Sequence, residues 1–152
     1  MIEIALYQPD IPQNTGTILR TAACLGTPVH IIEPAGFQWS LKSFRRAGMD
    51  YIDQVAISRH DSYAQFMDEM AERRLILATT KASQAYTAFE FQAGDVVMFG
   101  RESAGVPQEV HDAINHHITI PIRPQTRSLN IAVSVAMISG ETQRQLQSIG
   151  PF

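Results

Sequence analysis

The order of short apolar runs and helical patterns is the feature that most constrains the fold of this chain. Strand-like apolar runs lie at residues 2–7, 28–33, 54–57, 75–79, 95–99 and 117–120. Segments with helical spacing lie at about residues 14–25, 41–47, 61–74, 107–114 and 129–147. Strands that alternate with helices are typical of an α/β fold with a mostly parallel sheet flanked by helices. At 152 residues the chain has the length of one such domain, so we expect residues 1–152 to form a single unit.

Individual residues indicate where these helices begin and end. Asn14 or Thr15 can cap the first helix, and Gly26 would end it because glycine readily adopts the left-handed conformation found there. Ser40 is a candidate cap for the short basic helix, and Gly48 would stop that helix. These positions give the predicted sheet and helices definite boundaries.

The charge and the single cysteine limit the classes of partner and compartment. The formal net charge is −3, so no global basic field indicates a nucleic-acid partner, although a local basic patch would suffice. The only cysteine, Cys24, excludes an intramolecular disulfide and fits the reducing cytoplasm, and its helix position predicts core packing. Residues 1–7 resemble a strand rather than a signal peptide. His116 and His117 lack further ligands at metal spacing, so we expect no metal site.

Three polar segments stand out because each follows a strand-like run and precedes a helix. They lie at residues 12–20, 99–107 and 120–130. Ligands of parallel α/β sheets gather outside the carboxyl ends of the strands. Helix N-termini at that edge also offer free backbone N–H groups. We therefore expect the three segments to converge on one composite site.

The first segment combines an amide, a glycine and an arginine. Asn14 can cap the helix and present its amide to a ligand, and Gly16 permits close approach of the backbone. Arg20 lies six residues further on, so we expect it to return toward Asn14. The alternative interpretation is a capped helix with a solvated arginine.

The second and third segments allow similar alternatives. Gly100 and Gly105 bracket the second segment. It is either a tight turn whose backbone amides bind a ligand, or a plain strand-to-helix turn with an exposed Arg–Glu pair. This turn lacks the spacing of a dinucleotide fingerprint or a phosphate loop. In the third segment, Arg127, Ser128 and Asn130 belong either to an anion-binding loop or to a polar loop ending in a helix cap.

A basic face lies in the short helix that follows the second strand. Lys42, Arg45 and Arg46 could meet phosphates there, or could simply be solvated. Trp39, just before this helix, could stack on a base or cover an edge of the core. These residues indicate a possible nucleic-acid surface without requiring one.

The three polar segments, in this order and at this spacing, resemble the three motifs of the SPOUT (trefoil-knot) RNA methyltransferase superfamily. The matching motifs are Pro-Gln-Asn-Thr-Gly at residues 12–16 with Arg20, then residues 99–107 and residues 120–130. Further similarity at residues 5–12, 45–51 and 79–81 extends the resemblance over essentially the whole chain. Within the superfamily the chain is most similar to enzymes that methylate the ribose 2′-oxygen of nucleotide 34, the wobble position of tRNA.

The resemblance implies a fold, an assembly and a cofactor. The implied fold is an α/β sheet whose C-terminal part is threaded into a trefoil knot, in a homodimer packed through the knot and the final helix. The implied methyl donor is S-adenosylmethionine, with S-adenosylhomocysteine as product and no metal. The cofactor would be held, largely by main-chain groups, at Ala78, Gly100, Ile120, Ser128 and Leu129. The substrate would be cytidine or a modified uridine at position 34 of tRNA.

The same resemblance implies roles for polar and basic residues. The catalytic set would be Asn14, Arg20, Glu102, Ser128 and Asn130. Related enzymes are often assigned an arginine base, which matches Arg20. Because a guanidinium stays protonated at neutral pH, we instead expect Arg20 to orient the ribose and its phosphate, with phosphate, water or a perturbed Arg20 taking the proton. Glu102 would hold Arg20, and the last two residues would shape the pocket. The tRNA would lie on a lining formed by Lys42, Arg45, Arg46, Arg101 and Arg127. Close relatives usually carry proline where this chain has Arg101.

Three other functions fit the same motifs. A related 2′-O-methyltransferase that acts on another RNA position, such as one in rRNA, would carry the same residues. A non-catalytic RNA-binding knot protein would keep the fold without turnover, although the intact Asn14, Arg20 and Glu102 argue against it. An unrelated nucleotide-binding α/β enzyme would bind a dinucleotide in preference to S-adenosylmethionine.

Overall fold

The computed structural model describes residues 1–46 and 50–147, and this part of the chain has an α/β architecture, as predicted. Its strands are β1 (Glu3–Tyr7), β2 (Val29–Ile32), β3 (Ile57–His60), β4 (Leu75–Ala78), β5 (Val96–Phe99) and β6 (His116–Ile118). Its α-helices are α1 (Pro12–Leu25), α2 (Leu41–Arg46), α3 (Tyr63–Glu69), α4 (Gln108–Ala113) and α5 (Ile131–Leu146). Short 3₁₀ turns lie at Ile52–Gln54 and Tyr86–Ala88.

The sheet is six-stranded in the order β3-β2-β1-β5-β4-β6, and every neighbouring pair is parallel. Leu6 of β1 lies opposite Ile31 of β2 on one side and opposite Phe99 of β5 on the other. All strands therefore end at the same edge of the sheet, which confirms the predicted parallel arrangement. The trefoil threading stays a prediction from the resemblance.

Both faces of the sheet are covered, because alternate side chains of each buried strand point in opposite directions. Ile4 and Leu6 of β1 belong to the cluster that packs against α1 and α5. Ala5 and Tyr7 belong to a second cluster that includes Phe66 of α3. No helix within the described ranges 1–46 and 50–147 has the length and apolar character needed to cross a membrane.

The predictions for the third strand and the following helix were wrong in their bounds. β3 runs over Ile57–His60, not residues 54–57, because Ile52–Gln54 forms a 3₁₀ turn. Its polar middle hides the strand pattern because β3 lies at the edge of the sheet and exposes those side chains. The helix predicted over residues 61–74 ends at Glu69, since the chain turns so that two arginines reach carboxylates beside the sheet.

Several predictions of where helices begin and end, and the prediction for Cys24, can be compared with the structure. α1 begins at Pro12, earlier than predicted, because proline suits the first helical position, and Ile11 precedes it without a side-chain cap. Gly26 ends α1 in the left-handed conformation, at φ 67°, as predicted. The Ser40 hydroxyl accepts the Ser43 N–H at 3.1 Å and so caps α2. The predicted stop at Gly48 lies outside the described residues. Cys24 is exposed, which contradicts the predicted core packing.

Candidate active site

A cavity of about 500 Å³ lies at the carboxyl edge of the sheet. Its walls come from the end of β4 and from the loops that follow β1, β5 and β6, so all three polar segments contribute to it. A cavity of this size is typical of small-molecule sites. The predicted convergence of the three segments on one site is confirmed.

The cavity lining contains every residue predicted to bind the cofactor, namely Ala78, Gly100, Ile120, Ser128 and Leu129. Apolar side chains such as Ile118 and Ile138 line it together with backbone and hydroxyl groups. This combination suits a ligand with both an apolar portion and hydrogen-bonding groups, as an adenosyl-amino acid has. The residues present therefore fit S-adenosylmethionine, and their individual roles stay predictions.

A direct hydrogen bond joins the first and third segments at this cavity. The Nδ2 of Asn130 donates to the Oδ1 of Asn14 at 2.9 Å. The Oδ1 of Asn130 simultaneously accepts the backbone N–H groups of Ala132 at 2.8 Å and Val133 at 3.4 Å, which caps α5. Asn130 is thus both the helix cap and a structural link to α1, which confirms the cap, whereas an anion-binding role for this loop stays a prediction.

The loop after β5 is a tight turn closed by backbone bonds. The Arg101 N–H donates to the Gly105 carbonyl at 3.0 Å, and the Gly105 N–H donates back at 2.8 Å. A side chain at Gly100 would place its Cβ only 2.6 Å from the Gly105 carbonyl carbon. Gly105 has φ +65°, a conformation that L side chains rarely adopt. The shape of this cavity wall therefore depends on both glycines.

A carboxyl pair links this loop to the segment after β1. The Oε2 of Glu102 accepts the Asp10 backbone N–H at 3.1 Å. Burial raises the pKa of Glu102 most, and a hydrogen bond shared by the carboxyl side chains of Asp10 and Glu102 raises it further, against the Asp10 N–H bond, which lowers it. The same side-chain hydrogen bond lowers the pKa of Asp10, with smaller help from Ser103 and Arg101. Asp10 is therefore the more acidic of the two carboxyl groups.

Asp10 is a residue that sequence reasoning missed as part of the site. Its carboxylate accepts the Ser103 hydroxyl and lies 3.6 Å from the Nε of Arg101. Gly36 passes so close that a Cβ there would lie 2.5 Å from the Asp10 Cβ. The signal available was its position two residues before Pro12, directly after a buried strand, where polar residues gather in parallel sheets.

Arg20 does not join the cavity lining within this chain. Its guanidinium carbon lies 5.5 Å from the centre of the Tyr51 ring, a cation–π contact. A helix advances about 100° per residue, so six residues leave Arg20 about 120° away from Asn14 around α1. The expected return toward Asn14 is therefore wrong. Glu102 contacts Asp10, and no ion pair joins it to Arg20 among the described residues.

The predicted RNA-binding cations occupy two regions. Arg101 lines the cofactor cavity, and Arg127 directly precedes Ser128, which also lines it. Lys42 and Arg45 lie on α2, where Arg45 pairs with Asp53. Arg46 ends α2, and its side chain lies outside the described part.

Trp39 packs against Phe44 at the edge of the core, with ring centres 5.2 Å apart. Among described residues, no three His, Cys, Asp or Glu side chains are grouped to hold a metal ion.

Comparison with known families gives a match over most of the chain. A family model described as the SpoU rRNA Methylase family matches residues 1–139. A tRNA (cytidine(34)-2'-O)-methyltransferase from Beijerinckia indica subsp. indica is 57% identical over 148 residues, which are 96% of this chain and 92% of the relative.

Two solved structures are similar to this fold. One, described as giving structural insights into the 2-OH methylation of C/U34 on tRNA, has a TM-score of 0.90 at 40% identity, over 97% of this chain and 91% of the other. The second, an AdoMet-bound rRNA methyltransferase from Sinorhizobium meliloti, has a TM-score of 0.84 at 25% identity, over 95% of this chain and 56% of the other.

Proposed function

This chain belongs to the SpoU rRNA methylase family, and we propose that it methylates the ribose 2′-oxygen of nucleotide 34 in tRNA, using S-adenosylmethionine. The observation that carries this proposal is the convergence of three sequence motifs on one cavity, joined by the hydrogen bond between Asn14 and Asn130. The nucleotide is cytidine or a modified uridine. Because its substrate is tRNA, the enzyme acts in the cytoplasm.

The cofactor lies in the cavity at the carboxyl edge of the sheet. When bound, S-adenosylmethionine supplies a methyl group on a positively charged sulfur. The backbone of Ala78, Gly100 and Ile120 and the hydroxyl of Ser128 bind its polar groups, and Leu129 packs beside it. The rigid turn at residues 100–105 keeps these groups in place and so reduces the entropic cost of alignment.

The polar residues at the cavity rim position the ribose and accommodate its proton. The side chains of Asn14 and Asn130 are hydrogen-bonded to each other and present their remaining hydrogen-bonding groups at the rim. Arg20 is exposed, so its guanidinium is free to clamp the phosphate next to the reacting ribose. A guanidinium remains protonated at neutral pH, so phosphate or water accepts the proton of the 2′-hydroxyl.

The tRNA lies over the cations that flank the two ends of the site. Lys42, Arg45 and Arg46 supply one group, and Arg101 and Arg127 supply the other. Lys42 and Arg127 form no ion pair with any residue in the described part of the chain, so they are free to meet phosphates. A local lining of this kind compensates for the net charge of −3.

The enzyme is a homodimer in which α5 packs against its partner. Leu129, Val133 and Met137 recur every four residues, and all three are exposed. Val133 and Met137 lie one turn apart on α5, and Leu129 immediately precedes the helix, at the rim of the cofactor cavity. Burying these side chains against a second copy removes them from water. Sedimentation should give a dimer for the native chain and a monomer for Val133→Glu.

The proposed reaction is tested by transfer of a labelled methyl group to total tRNA from cells that lack this protein, followed by mapping of the methylated nucleotide. We expect label on the 2′-oxygen of nucleotide 34. Label in another tRNA position or in rRNA would contradict the assigned substrate. Cofactor binding without transfer to any RNA would instead support the non-catalytic alternative.

A further inference from the structure

A second cavity, of about 400 Å³, lies on the other side of the first helix from the cofactor cavity. The first two turns of α1 form one wall, and residues 37–44 form the opposite wall. Phe37 and Phe44 contribute aromatic rings, 6.3 Å apart at an interplanar angle of 80°. Nothing in the proposed function above uses this cavity.

Helix α1 separates the two cavities, and its side chains divide between them. Asn14 lines the cofactor cavity, whereas Gln13, Gly16 and Thr17 line the second one. Seven residues bring the helix back to within about 20° of the starting direction, so Arg20 projects from the same stripe as Gln13. This explains why Arg20 is absent from the cofactor cavity. A nucleotide placed over the start of α1 would have its ribose beside Asn14 and its phosphate near Arg20.

None of the described residues that line the second cavity is charged, but the segments that contribute its walls are basic in an acidic chain. Residues 12–25 and 34–46 contain four of the 12 Lys and Arg residues and none of the 15 Asp and Glu residues. An apolar, aromatic cavity within a positively charged surround is the arrangement by which proteins hold an unstacked RNA base and its flanking phosphates. The charge distribution therefore indicates a nucleotide rather than an apolar ligand.

Two carboxamides line this cavity and can recognise the edge of a base. Gln13 and Gln38 are both exposed there. A carboxamide offers one acceptor and one donor side by side. Cytosine presents the complementary donor and acceptor pair on its N4 and N3, and uracil presents the reverse order on its O4 and N3. Rotation of the amide by half a turn lets the same glutamine pair with either pyrimidine.

We propose that this second cavity binds the pyrimidine base of the target nucleotide, against Phe37 and with its edge read by Gln13 and Gln38. The inference rests on the proposed function and adds the base-binding subsite to it. The base sits on one side of α1 and the cofactor on the other. The 2′-hydroxyl then reaches across the start of the helix, beside Asn14.

The test is a binding cycle that combines variants of the cavity with removal of the base. Affinities are measured for an anticodon stem-loop RNA with cytidine at position 34 and for the same RNA with an abasic site there, in the presence of S-adenosylhomocysteine. The native protein should lose about tenfold in affinity when the base is removed, the order expected for one stacked base. Phe37→Leu and Gln38→Ala should each lose much less on base removal.

A matched variant and a kinetic readout complete the experiment. Gln92→Ala is the control, because Gln92 is exposed and lies before β5, at the opposite edge of the sheet. It should keep the full tenfold base effect. Gln13→Ala and Gln38→Ala should also lower kcat/KM by a similar factor for RNAs with cytidine and with uridine at position 34, with unchanged affinity for S-adenosylhomocysteine.

The outcomes separate the two levels of the proposal. If the native enzyme methylates nucleotide 34 but base removal weakens all four proteins equally, the base does not lie in this cavity and the inference is overturned. If the methylated nucleotide is not number 34, the proposed function fails, and the subsite assigned to that nucleotide fails with it. Full base dependence in the native protein, reduced in Phe37→Leu and Gln38→Ala only, supports the inference.

Discussion

The side-chain amide of Asn130 donates a 2.9 Å hydrogen bond to the side-chain oxygen of Asn14, across 116 positions of the chain. Asn130 also caps α5, so the start of that helix and the start of α1 are fixed to each other at the rim of the cofactor cavity. The bond is the most direct contact between the first and third motifs. It makes the position of α1 sensitive to a single donor group.

Asn130→Asp separates the two roles of this residue. Aspartate still caps α5 through its carboxylate, so the free energy of unfolding should change little, whereas Asn130→Ala should cost about 1 kcal/mol. Aspartate cannot donate to the Asn14 oxygen, so Asn14 keeps the contact only by turning its amide, which exchanges the donor and the acceptor that it presents at the rim. We expect methyl transfer to fall about tenfold, the order that corresponds to losing one hydrogen bond. Equal activity in Asn130→Asp and the native enzyme would contradict a role for the bond.

Gly100→Ala should distort the loop that forms one wall of the cofactor cavity. The added Cβ would lie 2.6 Å and 2.7 Å from backbone atoms of Gly105, which cannot move aside without opening the turn. We expect methyl transfer to fall about 100-fold, with weaker binding of S-adenosylhomocysteine by calorimetry. Gly140→Ala is the matched control, because a Cβ there meets no atom within 4 Å apart from the adjoining backbone of its own helix, and alanine favours the helix.

Glu102 should act by positioning the loop rather than through a negative charge. The pKa of Glu102 is raised in the folded state, so above the ordinary value of 4.5 the folded state binds more protons than the unfolded state. The contribution of Glu102 to stability therefore declines as pH rises from 4.5 through the folded pKa. Glu102→Gln can still accept the Asp10 N–H and donate to its carboxylate. Urea unfolding should show this variant gaining stability relative to the native chain as the pH rises above 4.5.

Activity assays of the same position give an independent readout. Glu102→Gln should keep its affinity for S-adenosylhomocysteine and most of its methyl transfer, whereas Glu102→Ala should weaken both, since it frees the loop from Asp10. A Glu102→Gln enzyme as inactive as Glu102→Ala would show that the carboxyl group itself takes part in the reaction.

His60 should make the protein less stable in mildly acidic solution. It is buried, and its Nε2 lies 2.9 Å from the Nδ1 of His30. Burial lowers the pKa of His60 below 6.5, and Glu69 opposes this only in part. The unfolded state therefore binds the proton first, and stability falls as pH drops from 6.5 through the folded pKa. His60→Gln should flatten the dependence of unfolding free energy on pH in that window; an unchanged slope would exclude His60 as its source.

Arg20→Lys tests the planar clamp on the phosphate. Lysine keeps the charge but loses the paired donors of the guanidinium, so we expect methyl transfer to fall about tenfold or more. Binding of S-adenosylhomocysteine should not change, because Arg20 lies outside the cofactor cavity. Near-native methylation by Arg20→Lys would contradict the assigned role.

Much of the fold follows from local pattern. The apolar runs at β1, β4 and β5 and the helix stop at Gly26 are strong signals, and the parallel sheet follows from their alternation with helices. The polar segments could be assigned to one site because parallel strands end at one edge. The sequence does not predict the end of a helix where tertiary contacts determine it. Helix α3 is an example, because it ends at Glu69 and Arg73 then pairs with Glu3 at 2.7 Å.

Side-chain partners were less predictable than backbone elements. Glu102 contacts Asp10, not Arg20, because the loop after β5 folds back on the segment after β1. Nothing local to Glu102 encodes that choice, since the two residues are 92 positions apart. The second cavity is likewise formed by segments whose residues individually resemble an ordinary helix and loop.

The central claim is that three loops at the carboxyl edge of the sheet hold one methyl donor. A crystal structure of the protein with S-adenosylhomocysteine tests it most directly. We predict the ligand in the 500 Å³ cavity, hydrogen-bonded to main-chain groups at Ala78, Gly100 and Ile120, with Ser128 in contact. Ligand density at any other place, or a ligand that touches only one of the three loops, would contradict the account.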